Sequence, residues 1–147
     1  MNVYKKFKIH FYREIFSTFQ SRETSLTSTE IFALEMIEAL GKPTVNEFAS
    51  FAKISSPNAA YKVGKLIKKG YLVKTQSETD KREFHLRVSE KYYNYLNISY
   101  GYIDKVVDRM KEKFSDEDAQ KFEEILRTIS TELMPEMAEV KDISNNV

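Results

Sequence analysis

The sequence predicts a mainly α-helical fold with one small β-hairpin, and three observations carry that prediction. Apolar residues recur at three- and four-residue spacing over most of the chain, the signature of half-buried helices. The period switches to alternation only at Tyr71–Thr75 and Phe84–Val88, two runs rich in β-formers that flank a polar stretch, Gln76 to Glu83. Helix-capping residues stand where the helical runs should begin, at Thr27, Thr44, Ser55, Ser89 and Ser115, while only 4 Gly and 3 Pro punctuate the 147 residues.

In chain order, residues 2 to about 20 read as a helix. Tyr4, Phe7, Phe11, Ile15 and Phe19 form its stripe, widened by Ile9, Tyr12 and Phe16. So broad an apolar surface on a terminal helix needs cover from more than one side, which a partner chain supplies most economically. Thr27 to Glu30 form a capping box for a second helix, in which Ile31, Leu34, Ile37 and Leu40 point inward. Gly41 suits a left-handed stop and Pro43 blocks continuation. A second capping box, Thr44 to Glu47, opens a short helix with Val45, Phe48, Ala49 and Ala52 inward. Ser55-Ser56-Pro57 starts the next, with Ala59, Val63 and Leu66 facing the core and Gly70 at its end. Two short helices around a tight turn at Lys53-Ile54 have helix-turn-helix spacing. After the hairpin, Ser89 is placed to cap a long helix whose buried series is Tyr92, Leu96, Tyr100, Ile103, Val107, Met110 and Phe114. Ser115 to Asp118 open a last helix carrying Ala119, Phe122, Leu126, Ile129 and Leu133, and residues past about 138 read as frayed.

Charge is unevenly distributed, although the net charge is only +1. Residues 53–87 hold nine Lys/Arg against three Asp/Glu, and residues 112–147 hold ten acids against four bases. A basic centre and an acidic tail point to one surface that meets a polyanion and another that does not. No cysteine is present, which removes disulfides, thiolate metal sites and thiol nucleophiles together. The first residues lack the apolar core and cleavage site of a secretory signal, and no apolar run is long enough for a bilayer, so a cytoplasmic protein without membrane contact is expected.

Thr44-Val45-Asn46-Glu47-Phe48-Ala49, Leu66 through Val73, the wing residues Asp80-Lys81-Arg82 and the run Leu86 through Lys91, in this order and spacing, resemble the MarR (multiple antibiotic resistance regulator) family over about residues 5 to 135. The resemblance implies a winged helix-turn-helix as one MarR-like domain over 1–147. Its DNA-binding lobe would span about 27–89, and residues about 2–22 and 90–135 would supply the dimerisation helices. It also implies a homodimer on a pseudo-palindromic DNA operator, acting as a repressor relieved by a small aromatic or anionic effector. Asp80-Lys81-Arg82 matches the family's D-x-R wing motif. Gly64 inside the recognition helix and Tyr61 on its face depart from the pattern and bear on which operator is read.

With Ala59, Val63 and Leu66 inward, the recognition helix presents Asn58, Tyr61, Lys62, Lys65 and Lys68 outward. Asn58 suits bidentate pairing with adenine, Tyr61 contact with a thymine methyl or a phosphate, and Lys62 and Lys65 phosphate contact. Ser56 lies at the helix start, where a hydroxyl and free amides accept a phosphate. On the wing, Arg82 is placed to enter a minor groove, Lys81 to add a phosphate contact, and Asp80 to pair with Arg82 and orient it. Tyr12, Phe16 and Phe32 are candidates for an effector pocket, with core packing as the competing role. The two histidines, His10 and His85, lack ligand spacing, so no metal and no cofactor is expected. No nucleophile–base pair or phosphate-binding glycine loop appears, which speaks against an enzyme. The rival class is a winged-helix module that binds protein instead of DNA. A carrier or enzyme built on the aromatic helices would need a polar cluster that the sequence lacks.

Overall fold

A computed structural model describes residues 2–20 and 26–141, apart from the side chains of 18–20 and 95–100. The expectations for Phe19, Leu96, Tyr100 and residues 21–22 lie outside the described positions. The elements are α1 (Asn2–Gln20), α2 (Ser28–Ala39), α3 (Val45–Phe51), α4 (Ser56–Lys68), β1 (Leu72–Gln76), β2 (Phe84–Val88), α5 (Glu90–Lys113) and α6 (Asp116–Glu132), with a single 3₁₀ turn at Pro135–Met137. No described helix is long and apolar enough to cross a membrane. The chain divides into two compact units, one of residues 16–95 and 140–147, the other of residues 1–15 and 96–139.

In the first unit the helix starts form as their sequences dictate. Thr27 accepts the amide of Glu30 at 3.3 Å and the Glu30 carboxylate accepts the amide of Thr27 at 2.8 Å. Thr44 and Glu47 repeat the arrangement on α3 at 3.2 and 2.6 Å. Each box satisfies two amides that a helix start leaves without partners. Glu30 also receives the Lys69 ammonium at 2.8 Å, linking the start of α2 to the end of α4. Burial pushes the Glu30 carboxyl up, but the hydrogen bonds from Lys69 and Thr27 and the Lys69 charge outweigh it and hold the group below its ordinary value.

The helix ends are equally local. At the end of α4 the Gly70 amide reaches Ile67 O at 2.9 Å and the Tyr71 amide reaches Leu66 O at 3.0 Å, with Gly70 at φ +79°. This is the paired 5→2 and 6→1 closure that a left-handed residue after a helix permits. The end of α3 closes in the same way, Lys53 to Ser50 O and Ile54 to Ala49 O, but here the left-handed residue is Lys53, at φ +53°.

β1 and β2 pair antiparallel in the register Leu72↔Val88 to Gln76↔Phe84. The hairpin is anchored to the helices. The Leu86 amide donates to Pro43 O at 2.7 Å, Thr44 bridges to His85, and the His85 Nδ1 donates to Lys42 O at 3.0 Å. The segment joining α2 to α3 thus acts as a short third strand. Ile31, Leu34 and Ile37 of α2, Phe48 of α3, Ala59, Val63 and Leu66 of α4, Tyr71, Leu72, Leu86 and Tyr92 are almost wholly buried and make the core.

The Ser89 hydroxyl donates to Gly70 O at 2.7 Å, tying the start of α5 to the end of α4. Two local expectations need correction. Lys141 is not frayed: its amide donates to Ala39 O at 2.8 Å and its ammonium to Gly41 O at 3.3 Å, covering the carbonyl end of α2, while the same expectation for residues 142–147 lies outside the described positions. The expected inward stripes of the second unit are mostly not covered. α6 buries no residue, with Phe122 at 45%, Leu126 at 48% and Leu133 at 67% exposure, and Ile103 and Phe114 of α5 are exposed as well. Periodicity locates an apolar face correctly, but it does not say which molecule covers it.

Candidate nucleic-acid interface

The helix-turn-helix is set by its two turns of capping. Lys53 closes α3, Ile54 follows, and the Ser55 hydroxyl accepts the Asn58 amide at 3.4 Å to open α4. Pro57 occupies the first turn, where its missing N–H leaves no bond unmade. The Ser56 hydroxyl donates to Asn46 Oδ1 at 3.2 Å, so the first turns of α3 and α4 are held together by side chains as well as by the turn.

With Ala59, Val63 and Leu66 buried, Ser56, Asn58, Tyr61, Lys65 and Lys68 are all exposed along α4. Tyr61 is 66% exposed and the Lys65 ammonium lies 5.5 Å from the centre of its ring, a cation–π pair one helical turn apart. Lys62 is half-buried and so presents less of its length than its neighbours. No carboxylate occurs in α4, and Lys65 and Lys68 stand in its last turn.

The wing turn is organised by its own polar side chains. Ser77, nearly buried, accepts the amides of Thr79 and Asp80 at 3.3 Å each. The Ser77 amide closes on Glu83 O at 2.9 Å and Gln76 Nε2 donates to Lys81 O at 2.6 Å. Asp80 differs from the expectation. Its carboxylate accepts the backbone amide of Arg82 at 2.9 Å and makes no ion pair with the guanidinium among the described contacts. In so tight a turn the amide two residues on lies within reach of a short acid, whereas the guanidinium sits at the end of a long arm. Asp80 therefore shapes the backbone under Arg82, and Lys81 and Arg82 stay exposed.

A groove of about 390 Å³ runs between the start of α3 and the hairpin, lined by Asn46, Lys74, Asp80, Arg82, Glu83 and Phe84 among others. Because Asn46 also holds Ser56, the wing turn and the start of α4 border the same end of α3. Sequence reasoning missed Asn46, Lys74 and Phe84 as site residues. Phe84 carries a signal in retrospect, an aromatic at the loop end of a strand, 43% exposed with the Lys74 ammonium 5.9 Å from its ring centre. Tyr12, Phe16 and Phe32 are not joined by any described contact. Tyr12 belongs to one unit, where its ring tilts against Phe11, and the exposed Phe16 and Phe32 belong to the other.

Known proteins share this arrangement. Residues 26–84 match the model of the MarR family. An uncharacterized HTH-type transcriptional regulator of Bacillus subtilis, YkoM, is 30% identical over 80 residues, 54% of this chain and 52% of that protein, so the match spans about half the relative's length. Among solved structures, a MarR family protein from Bacillus stearothermophilus shares the fold over 90% of this chain and 88% of its own, with a TM-score of 0.62 and 18% identity. A mutant MepR of S. aureus bound to an oligodeoxyribonucleotide does so over 89% and 92%, with a TM-score of 0.52 and 12% identity. A MarR-like transcriptional regulator from Thermotoga maritima covers 90% and 97%, with a TM-score of 0.55 and 22% identity. Residues 26–84 are therefore similar to the MarR family, and over most of its length the chain has the fold of these solved structures.

Proposed function

We propose that the protein is a DNA-binding transcriptional regulator and not an enzyme, reading duplex DNA with α4 in a major groove and Arg82 of the wing in the neighbouring minor groove. The observation that carries this reading is the acid-free outer face of α4, where Lys65 is steadied over Tyr61, on a head whose wing turn borders the start of the same helix. Asn58 and Tyr61 read bases, while Ser56, Lys62, Lys65 and Lys81 hold phosphates. The oligodeoxyribonucleotide in the MepR structure agrees with this reading.

The working form is a homodimer built by α1, α5 and α6. Its support is the uncovered apolar stripe of α6, together with exposed Tyr4, Ile9 and Phe16 on α1. Two heads then meet a pseudo-palindrome with half-sites about ten base pairs apart. Acting in the cytoplasm, the protein represses by occupying a promoter. A small aromatic or anionic effector relieves it by shifting the distance between the heads.

Titration of the full chain on duplexes selected from random sequence, at several salt concentrations, tests the reading. Lys65→Gln should lower the slope of log affinity against log salt by about 1, as expected for one lost phosphate contact. Arg82→Ala should weaken the selected duplex more than a random one. If Arg82→Ala and Lys65→Glu both bind every duplex as the parent does, the surface serves a protein partner instead and the DNA reading fails.

A further inference from the structure

Lys141 makes a contact that the DNA reading does not use. It belongs to the same compact unit as the helix-turn-helix and the hairpin, and it meets that unit at the end of α2. The last turn of α2 holds no basic residue, so the cation that suits a carbonyl terminus arrives from a hundred residues beyond Gly41. The Lys141 stem occupies space that only a missing side chain leaves open: a methyl on Gly41 would stand 2.7 Å from its Cδ.

The linker so gripped is a strained one. Gly41 and Lys42 are consecutive left-handed residues, at φ +61° and +63°, and a lysine adopts that conformation only at a steric cost. Such a residue persists where its surroundings over-determine it. The hairpin hangs from the next two carbonyls, Lys42 O through His85 Nδ1 at 3.0 Å and Pro43 O through the Leu86 amide at 2.7 Å. Lys141 therefore holds Ala39 O and Gly41 O, and the hairpin holds Lys42 O and Pro43 O. Glu47 shows the same proximity. The hydrogen bonds from Thr44, against some burial, hold its carboxyl below the ordinary value, and the charges of His85 and Lys141 both add to the effect. We propose that Lys141 is a positioning residue for the wing: by fixing the residues from Ala39 to Gly41 it keeps Lys42 and Pro43 where they anchor the hairpin, and so sets where Arg82 meets DNA. The last clause rests on the proposed DNA reading; the anchoring does not.

Amide hydrogen exchange in the full chain without DNA reads the anchoring directly. Lys141→Met keeps the stem and removes the ammonium. It should speed exchange of the Leu86 amide about fivefold, while the Val63 amide inside α4 stays within about twofold of the parent. Lys141→Arg, which keeps a charged donor, should restore the parent rate. A contribution to overall stability alone would speed both amides together. On DNA, Lys141→Met should lower the ratio of affinities for a selected over a random duplex by about threefold, with the salt slope unchanged because no phosphate contact is lost. Unchanged Leu86 exchange, equal acceleration of Val63, or a slope lowered by about 1, the mark of a direct phosphate contact, overturns the proposal. So does a preserved ratio in Lys141→Met when Arg82→Ala loses it. If Arg82→Ala preserves the ratio too, the DNA reading of the wing is what fails, and Leu86 exchange alone decides the role of Lys141.

Discussion

Replacing Glu35 with glutamine should stabilise the protein at about pH 8 and change it little at about pH 4. Glu35 is half-buried on α2, and burial, reinforced by the charge of Glu38, pushes its carboxyl up to about 7 from an ordinary value of 4.5. The same face carries Glu38 itself, which burial also raises, and Tyr93, raised by burial and by Glu38 and drawn back by Arg87. Between its two values the folded protein holds a proton that the unfolded chain has released. Stability therefore falls as pH rises from 4.5 to about 7 and is flat above, the opposite of a salt-bridged acid. At 1.36 kcal/mol per pH unit the displacement is worth about 3 kcal/mol, and roughly 2 once residual solvent is allowed for. Glutamine keeps the shape and abolishes the charge. Urea unfolding followed by circular dichroism from about pH 4 to pH 8 should give a parent curve that declines more steeply than the variant's, diverging by about 2 kcal/mol at the alkaline end. Parallel curves would refute the reasoning.

Other substitutions test the local geometry by the same unfolding assay. Lys53→Gly relieves a left-handed side-chain residue at φ +53° and should raise stability by about 0.5–1 kcal/mol. Gly41→Ala should lower it by about 1–2 kcal/mol, since the position sits at φ +61° and the added carbon would stand 2.7 Å from Lys141 Cδ. Gly64→Ala meets no atom within 4 Å and should gain about 1 kcal/mol of helix stability in the free protein. Lys69→Met leaves Glu30 without its ammonium and should cost about 2 kcal/mol near neutral pH. Because Glu30 is held below its ordinary value, that contribution is present above the ordinary carboxylate range and disappears as pH falls through the depressed value.

What could be read from the sequence divides along a physical line. Thr27, Thr44, Ser55 and Ser115 were legible as caps because each bond spans about three residues and depends on little else. The inward face of α4 was legible because a single period defines it. The partner of Ser89, nineteen residues back at Gly70, has no local signature, and neither has Lys141 on the end of α2, a hundred residues from Gly41. Lys53 was opaque for another reason: the turn demands a conformation that glycine advertises and lysine conceals. Asp80 was assigned the right neighbour and the wrong atom of it, because charge alone favours the guanidinium and only the turn geometry reveals the amide.

Anchoring Leu86 and His85 to Lys42, Pro43 and Thr44 leaves the hairpin little freedom to swing on its own. On the proposed reading, DNA held by both α4 and Arg82 would in effect be touched by a single rigid tool. Tuning its grip by bending the hairpin would require breaking main-chain bonds in the linker between α2 and α3. Adjustment is cheaper when the entire tool is carried elsewhere, so substitutions at Pro43 or His85 should blunt discrimination between duplexes, whereas control over occupancy has to be exerted from outside the head.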